Sequence, residues 1–311
     1  MKEVAQLFLR AIVVFAGTAL VTFTLLWYAP GDPALSIAVA RYDAVVPADV
    51  LEQIRAETGL DAGFWPAFLH WITPLLQCDL GNSSVSNRPI WPELRDDILL
   101  TLPLALTGLA IGIALAVPLA ILAVHKPGGL VDRGAVALAS LGAAMPAYWL
   151  GLLLILAFAV KLAWLPAMGA GSAQHLVLPA LTLGLGVAAS LTRILRSALL
   201  EAKGAPFLPA LARRGVGARE RALSHVAPHA AIPVVTVVGL ELAFLLEGTV
   251  IVEVIFARPG LGTFLIEAIQ ARDFPKVQAM VLLTAVLFVT VNLLTDLFYR
   301  LVDPRIGAVD A

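Results

Sequence analysis

Long uncharged apolar stretches dominate this sequence and restrict what it can fold into. Five of them are each close to or longer than the roughly 17–25 residues that a helix needs to cross a bilayer core; they lie at 11–31, 98–124, 134–160, 176–192 and 277–295. A sixth, 231–256, is equally long and apolar but contains three glutamates. With 60% apolar and only 14% charged residues, most of the chain belongs in lipid. The sequence therefore predicts an all-α integral membrane protein with six transmembrane helices.

The first apolar stretch is predicted to remain in the mature chain. Lys2 and Arg10 precede it, as they would precede a cleaved secretory signal. However, the stretch is long enough to span the membrane and ends in Trp27 and Tyr28 rather than in small residues suited to cleavage. An aromatic pair is typical of a helix end at the membrane interface. We therefore interpret it as a retained first transmembrane helix.

Basic residues are distributed unevenly between the segments that join the predicted helices. Six spans place both termini on one side with 125–133 and 193–230, and these segments hold 13 of the 21 Lys and Arg residues. The other side holds 8, four of them in a long loop that the positive-inside rule counts poorly. Both termini are therefore predicted to be cytoplasmic. The predicted topology has a first helix within 1–31, an outer cap at 32–97 and a five-helix core at 98–311, with an inner loop at 193–230.

Several function classes find no support in the sequence. A net charge of −1 argues against a nucleic-acid-binding protein, which would show a basic excess. Cys78 is the single cysteine and the five histidines are scattered, so neither a disulfide nor a metal site is predicted. No GxxxxGK[ST] motif, HExxH motif or G-x-S-x-G elbow occurs, so no nucleotide site and no catalytic residues are predicted. We expect a protein that is not an enzyme and has no cofactor of its own.

The inner loop 193–230 combines basic charge with apolar residues at helical spacing. Its seven Lys and Arg residues could simply attract anionic lipid. Leu208 and Leu211, followed by Leu223 and Val226, instead indicate one or two short amphipathic helices that break near Gly215. Such a helix must bury its apolar side against lipid or a partner protein.

Gly215 in this loop is followed thirteen positions later by Pro228 and eighteen positions later by Pro233. With this spacing the loop resembles the signature loop of ABC transporter permeases that depend on a binding protein, in the peptide/nickel branch, although Pro209 stands in place of the motif's glutamate and Ala227 in place of its leucine. The resemblance implies that a coupling helix here docks into a groove on an ATPase subunit. The residues it assigns to this role are Ala210, Ala212, Arg213, Arg214, Gly215, Arg219, Pro228 and Pro233.

Further landmarks of the same branch follow one another along the whole chain. They are PGDP at 30–33, GLD at 59–61, DLG at 79–81, VEVIFA at 252–257, PGLG at 259–262, ARD at 271–273, Pro275 and DPR at 303–305. On these motifs the chain is identified as similar to the first permease subunit of peptide/nickel importers, with the type I importer permease fold. Pro259 with Gly260 and Gly262 predicts a tight turn, and the spacing of Phe264, Leu265, Ala268 and Ile269 predicts a short helix with an apolar stripe. The resemblance implies that this element helps to form the outer gate.

Three glutamates lie in the fifth predicted span. Glu241, Glu247 and Glu253 are six residues apart, so each is rotated by about 120° from the last and they do not share a face. A carboxylate inside a membrane is costly and indicates function. We expect Glu253, which the resemblance also covers, to belong to the gate. Glu247 either faces the translocation path and contacts an amine-bearing substrate, or is protonated or paired with a partner permease.

The resemblance implies a permease subunit that forms half of a translocation pore in the bacterial inner membrane. Its expected partners are a second permease, two ATP-binding subunits and a periplasmic or lipid-anchored binding protein. The substrate stays open among dipeptides, oligopeptides, nickel and other metal chelates. One alternative is a proton-coupled secondary transporter that uses Glu241, Glu247 and Glu253, although the inverted repeats typical of such proteins are not evident.

Overall fold

The structure, a computed structural model, describes residues 2–29, 33–42, 47–58 and 63–302, and these are almost wholly helical. Within those ranges the only strand pairing is an isolated bridge between Asn82 and Pro89. The sequence landmarks at 30–32, 59–61 and 303–305 lie outside the described residues. The topological division at residues 31 and 97 concerns sides of the membrane and stays a prediction.

The helices follow one another with short connections. In chain order they are α1 (Lys2–Trp27), α2 (Pro33–Tyr42), α3 (Ala48–Thr58), α4 (Phe64–Leu75), α5 (Ile90–Ala123), α6 (Leu130–Ala144), α7 (Ala147–Leu154), which continues as a π-helix (Ile155–Lys161), α8 (Gln174–Lys203), α9 (Phe207–Arg213), α10 (Ala218–Glu220), a π-helix (Arg221–Val226), α11 (Ala227–Ile255), α12 (Leu261–Gln270) and α13 (Phe274–Val302).

Five helical stretches are long and apolar enough to cross a membrane, and a sixth span is obtained when one bent pair is counted as a single crossing. The five cover Leu9–Trp27, Ile90–Ala123, Gln174–Lys203, Ala218–Ile255 and Phe274–Thr295. The bent pair, Leu130–Ala144 with Ala147–Lys161, turns by 103°. The six apolar segments expected from the sequence are thus recovered when this pair is counted as one span, and the structure adds that the segment 134–160 forms two helices.

The bend has a local cause in Pro146. A proline clashes with the helical conformation of the residue before it and favours extended backbone there. Met145 is extended, with φ −81° and ψ 126°, and Pro146 follows with φ −63° and ψ 137°. Proline also lacks the N–H that a continuous helix would need at that position. One apolar stretch therefore forms two helices.

The chain divides into two compact units. The first comprises Met1–Leu99 and Gly260–Thr290, and the second comprises Leu100–Pro259 and Val291–Ala311. In the first unit, aromatic side chains join α1 to α4: the Phe23 ring lies 5.4 Å from that of Trp71 and 5.3 Å from that of Phe68. A separate apolar cluster packs the start of α5 against α12 and the start of α13, around Ile90, Leu94, Leu261, Phe264, Ala279 and Met280.

In the second unit α8 is the central helix. Its buried Leu178, Leu183 and Val187 pack with Leu104 of α5 and Leu245 of α11. A close approach of backbones makes this packing possible, because small residues let membrane helices come together.

Gly184 marks that approach in α8. A Cβ placed there would lie 2.7 Å from Ile111 Cγ2 and 2.8 Å from the carbonyl oxygen of Gly108. Both of those contacted residues belong to α5. The glycine is therefore required by the distance between α5 and α8.

Candidate coupling loop and membrane carboxylates

A short exposed helix, α9, lies in the segment that joins α8 to α11. It ends where Gly215 adopts φ +82°, a left-handed conformation that favours glycine. The Gly215 N–H donates to the carbonyl of Ala212 at 3.1 Å, and the Val216 N–H donates to that of Leu211 at 3.1 Å. These bonds satisfy carbonyls that the helix end would otherwise leave unpaired. The predicted break near Gly215 is confirmed.

The two faces of α9 have different surroundings. Phe207, Leu208 and Leu211 are half-buried. The Phe207 ring lies 5.2 Å from that of His229 at the start of α11. The coupling residues expected from the sequence that lie on or just after α9 are all exposed; they are Ala210, Ala212, Arg213, Arg214, Gly215 and Arg219. The loop thus presents small and basic side chains outward from an apolar base.

The two prolines of the predicted motif lie in the first turns of α11. Pro228 is at the start of the helix, where the missing N–H costs nothing, and Pro233 lies inside the helix one to two turns later. Both are exposed. The π-helix Arg221–Val226 runs directly into α11, so the last part of the loop, from Ala218 onward, and the helix with the three glutamates form one continuous helical stretch.

The base of the loop is held by an ion pair that the sequence did not reveal. Arg196 of α8 donates through Nε and Nη2 to the two carboxylate oxygens of Asp132 in α6, the second at 2.8 Å. The N–H of Gly128 donates to the same carboxylate at 2.7 Å. Nearby, Lys203 Nζ donates to the carbonyl of Val124 at 2.9 Å. Because 64 residues separate Asp132 from Arg196, no local spacing could have paired them.

The three glutamates of α11 occupy three different environments. Glu241 is half-buried, Glu247 is exposed, and Glu253 is fully buried at 0% exposure. This follows from their rotation around the helix, and the prediction that they do not share a face is confirmed. The roles of Glu241 and Glu247 in a translocation path stay predictions.

Glu253 belongs to a buried polar group in the second unit. Thr101 of α5, which is also 0% exposed, donates its hydroxyl hydrogen to the Glu253 carboxylate at 2.5 Å. Arg258 is 5% exposed and donates through Nη2 to the carbonyl of Leu100 at 3.2 Å. Burial lowers the pKa of the Arg258 guanidinium, and the negative charge of Glu253 opposes that shift.

The predicted gate element is distributed over both units. In the second unit, Pro259 is exposed, just after Ala257, which has φ +42°. In the first unit, Gly260 and Gly262 are buried, and Gly260 is extended with φ 165° rather than part of a tight left-handed turn. Helix α12 begins at Leu261, as the sequence predicts a short helix there.

The buried side of α12 differs slightly from the predicted stripe. Phe264 and Ala268 are 3% and 2% exposed, but Ile269 is 56% exposed. Leu261 takes its place on the buried side. Leu265 is half-buried, so three of the four residues of the expected stripe lie on the inward side and only Ile269 does not.

Polar contacts fix the surroundings of α12 within the first unit. Asp273, which follows α12, accepts from Ser83 Oγ at 2.5 Å and from the Ser84 N–H at 3.1 Å. Lys276 of α13 lies 2.7 Å from both carboxylate oxygens of Glu93 in α5. The sequence landmarks around 79–81 and 271–273 gave no sign of these pairings.

In the described ranges, no three His, Cys, Asp or Glu side chains come together closely enough to hold a metal ion.

The arrangement of these helices is that of an ABC importer permease. It resembles the inward-facing MetNI methionine ABC transporter, with a TM-score of 0.58 and 19% sequence identity over 68% of this chain and 97% of the other. An amino acid ABC transporter with histidines gives a TM-score of 0.54 at 19% identity, over 67% of this chain and 94% of the other. At these identities the likeness shows the fold alone.

Sequence relatives then give the family. Residues 108–308 match the family described as "Binding-protein-dependent transport system inner membrane component", and the chain belongs to that family. It is 38% identical over 277 residues to the glutathione transport system permease protein GsiC of Escherichia coli (strain K12), which covers 89% of each chain. It is 38% identical over 288 residues to GsiC of Salmonella typhimurium (strain LT2), over 93% of each chain.

Membership of this family establishes the general role of the chain. It is a multi-pass permease subunit of an ABC importer in the inner membrane, as its apolar helices and its relatives together show. It also belongs with the peptide/nickel-type permeases, as the sequence motifs predict. The proton-coupled alternative has no support among these relatives.

Proposed function

We propose that this chain forms half of the translocation path of an ATP-driven importer for short peptides. The observation that carries this substrate class is the 38% identity, over 89% of both chains, to permeases of glutathione transport, since glutathione is a small peptide. The alternative cargo expected from the sequence is nickel or a metal chelate. We favour the peptide because the relatives at 38% identity are named for one.

The proposed partners are a second permease, two ATP-binding subunits and a binding protein outside the membrane. The loop at α9 supports the ATPase contact, because its apolar residues pack inward while Ala212, Arg213 and Arg214 are exposed. A small-residue helix with basic neighbours suits a groove on another protein. We place this loop, and with it both termini, on the cytoplasmic side, where the basic residues concentrate.

Force generated at such a loop would reach the glutamates directly. Helix α11 is continuous with the end of the loop from Ala218 onward, and α9 joins that segment through the turn at Gly215, so a movement of α9 would pass through this turn into the helix. We assign Glu253 and the stretch Pro259–Gly262 to the outer gate. Glu247 is exposed on α11, and we assign it to the translocation path, where its carboxylate would contact an amine of the substrate.

Uptake by reconstituted vesicles tests this proposal. The chain would be assembled with the permease, ATPases and binding protein encoded beside it, and uptake of labelled glutathione, a labelled dipeptide and a nickel chelate would be compared. We expect uptake of a peptide that requires both ATP and the binding protein. Uptake of the nickel chelate alone would contradict the peptide assignment, and uptake driven by a proton gradient without ATP would contradict the importer mechanism.

The Glu247 assignment needs a separate comparison. Glu247→Gln should reduce uptake of an amine-bearing peptide more than uptake of its N-acetylated form, because only the former carries the cation that the carboxylate would attract. Glu52→Gln, at an exposed position of α3, is the matched control. Unchanged uptake of both peptides by the Glu247 variant would exclude contact with the path.

A further inference from the structure

The first unit contains a cavity whose lining includes neither the coupling loop nor the three glutamates of α11. It has a volume of about 420 Å³ and is bounded by α1, α2, α4, the loop before α5 and the start of α13. Pockets for small ligands commonly measure about 300–1,000 Å³. The cavity is thus large enough for a ligand of two amino-acid residues.

Aromatic rings form one side of this cavity. Phe23 and Trp27 of α1 and Trp71 of α4 line it. The Phe23 ring stacks on that of Trp71 with centroids 5.4 Å apart, and on that of Trp27 at 5.7 Å. Such packing holds the rings in place before any ligand arrives. Aromatic faces are electron-rich and attract cations, including ammonium groups.

A buried polar side chain also lines this cavity. Gln278 of α13 lines the cavity and is only 6% exposed. No hydrogen bond joins its side chain to a described residue, whereas the nearby buried Ser83 and Asp273 bond to each other. Its amide is not among the completely enclosed unpaired atoms, so it keeps surface that faces the cavity. A largely buried amide normally has a hydrogen-bond partner. A ligand with one donor and one acceptor, such as a peptide amide, would satisfy it.

The charge around the cavity restricts the ligand further. Asp79 lines it with a carboxylate that is oriented by the Gly81 N–H, which donates to Oδ1 at 2.9 Å. His70 is the other ionisable lining residue, and neither Lys nor Arg is among the described residues of the lining. An anion such as a phosphate or a free carboxylate would find no fixed cation here. An ammonium group would find both a carboxylate and aromatic faces.

We infer that this cavity binds the free amino-terminal end of a short peptide. The ammonium group is held by Asp79 and the aromatic rings, and the first peptide amide pairs with Gln278. This inference rests on the proposed function only in taking a transported peptide as the natural ligand. Binding of a peptide to the cavity can be measured without any transport. The same chemistry could come from a peptide in solution or from the amino terminus of a partner protein.

Tryptophan fluorescence of the assembled transporter in lipid nanodiscs tests this inference. The probe is leucyl-glycinamide, which has a free amino group and no carboxylate; its N-acetyl form is the matched control ligand. We expect saturable binding of the probe that weakens at least ten-fold on N-acetylation. Gln278→Leu and Asp79→Asn should weaken it to a similar extent, whereas Gln270→Leu and Asp96→Asn, at exposed positions, should not.

Each outcome decides the assignment. Equal binding of the acetylated probe would overturn recognition of the amine, whatever the variants do. Binding that Gln278→Leu leaves intact, in a transporter that assembles normally, would overturn the role of the cavity. If ligand-free binding protein displaces the probe, the natural occupant of the cavity is the amino terminus of that protein. If it does not displace the probe, the natural occupant is a peptide in solution. A transporter that binds the probe but imports no peptide would contradict the proposed function alone.

Discussion

Thr101 on α5 donates a hydrogen bond to the carboxylate of Glu253 on α11, and both residues are completely buried. Two helices that are 152 residues apart in sequence at this contact are thereby joined through a polar group inside an apolar core. Burying a carboxylate is costly unless hydrogen bonds stabilise it. The hydroxyl of Thr101 is therefore part of what allows α11 to hold a charge-bearing residue near its C-terminal end.

Removal of that hydroxyl should destabilise the protein. We expect Thr101→Val to lower the free energy of unfolding by about 1–3 kcal/mol, because the buried carboxylate loses a donor. Thr192→Val is the matched control: Thr192 is 1% exposed, and its hydroxyl has no partner in the described structure. Thermal unfolding in detergent should show a lower midpoint for the first variant and no loss for the second. Equal unfolding midpoints of the Thr101→Val and Thr192→Val variants would mean that the Thr101 hydrogen bond contributes nothing to stability.

The ion pair at the base of the loop makes a second prediction. Arg196→Lys keeps the positive charge but loses the two parallel hydrogen bonds to Asp132, which only a guanidinium can make. We expect a loss of about 1–2 kcal/mol in stability. Arg193→Lys, one turn earlier at an exposed position of α8, should leave the unfolding midpoint unchanged. If both lysine variants unfold alike, the paired geometry is unimportant.

Some of these features could be predicted from the sequence and others could not. The apolar segments, the helix break at Gly215 and the short helix after Gly260 follow from local rules on hydropathy and on glycine. The bend at Met145 was also encoded locally, since a proline makes the preceding residue extended. It was missed because a proline inside an apolar stretch is often tolerated in membrane helices.

The pairings between distant residues could not be predicted from the sequence. Asp132 with Arg196, Thr101 with Glu253 and Asp273 with Ser83 depend on how helices pack, and their sequence separations range from 64 to 190 residues. Neither periodicity nor composition contains that information. The motif at 271–273 did mark the position of Asp273, but the partner of its carboxylate had to be seen in the structure.

Close packing of α5 on α8 leads to a third prediction. Gly184→Ala places a methyl group 2.7 Å from Ile111 Cγ2, so the helices must separate, at a cost of about 1–3 kcal/mol. Gly186→Ala is two residues along the same helix, and a Cβ there has nothing within 4 Å. We expect that control to be neutral or slightly stabilising. Thermal unfolding of both variants measures the difference, and a stable Gly184 variant would show that the helices are not tightly apposed.

A fourth prediction concerns the contact between Asp273 and the loop before α5. Asp273→Asn removes the charge that accepts hydrogen bonds from Ser83 Oγ and from the Ser84 N–H. Amide hydrogen exchange in residues 83–90 should become faster, because this turn loses its buried anchor. Asp96→Asn, at an exposed position of α5, provides the control. Unchanged exchange in the Asp273 variant would show that the turn is held by its own backbone bonds.

The central claim is that α9 and the turn at Gly215 transmit ATP hydrolysis to the helices of this chain. Gly215→Glu disturbs that turn, since φ +82° strains any residue with a Cβ. Gly217→Glu adds the same charge two residues later, where φ is −62° and any residue is accommodated. Comparing the two separates the conformation of the turn from the effect of a new charge.

The most direct test measures ATP hydrolysis by the reconstituted transporter with and without the loaded binding protein. We predict that the binding protein stimulates hydrolysis in the wild type and in the Gly217 variant, and that this stimulation disappears in the Gly215 variant while the subunits still assemble. Full stimulation in an assembled Gly215 variant would contradict the claim that this loop couples the ATPases to the permease.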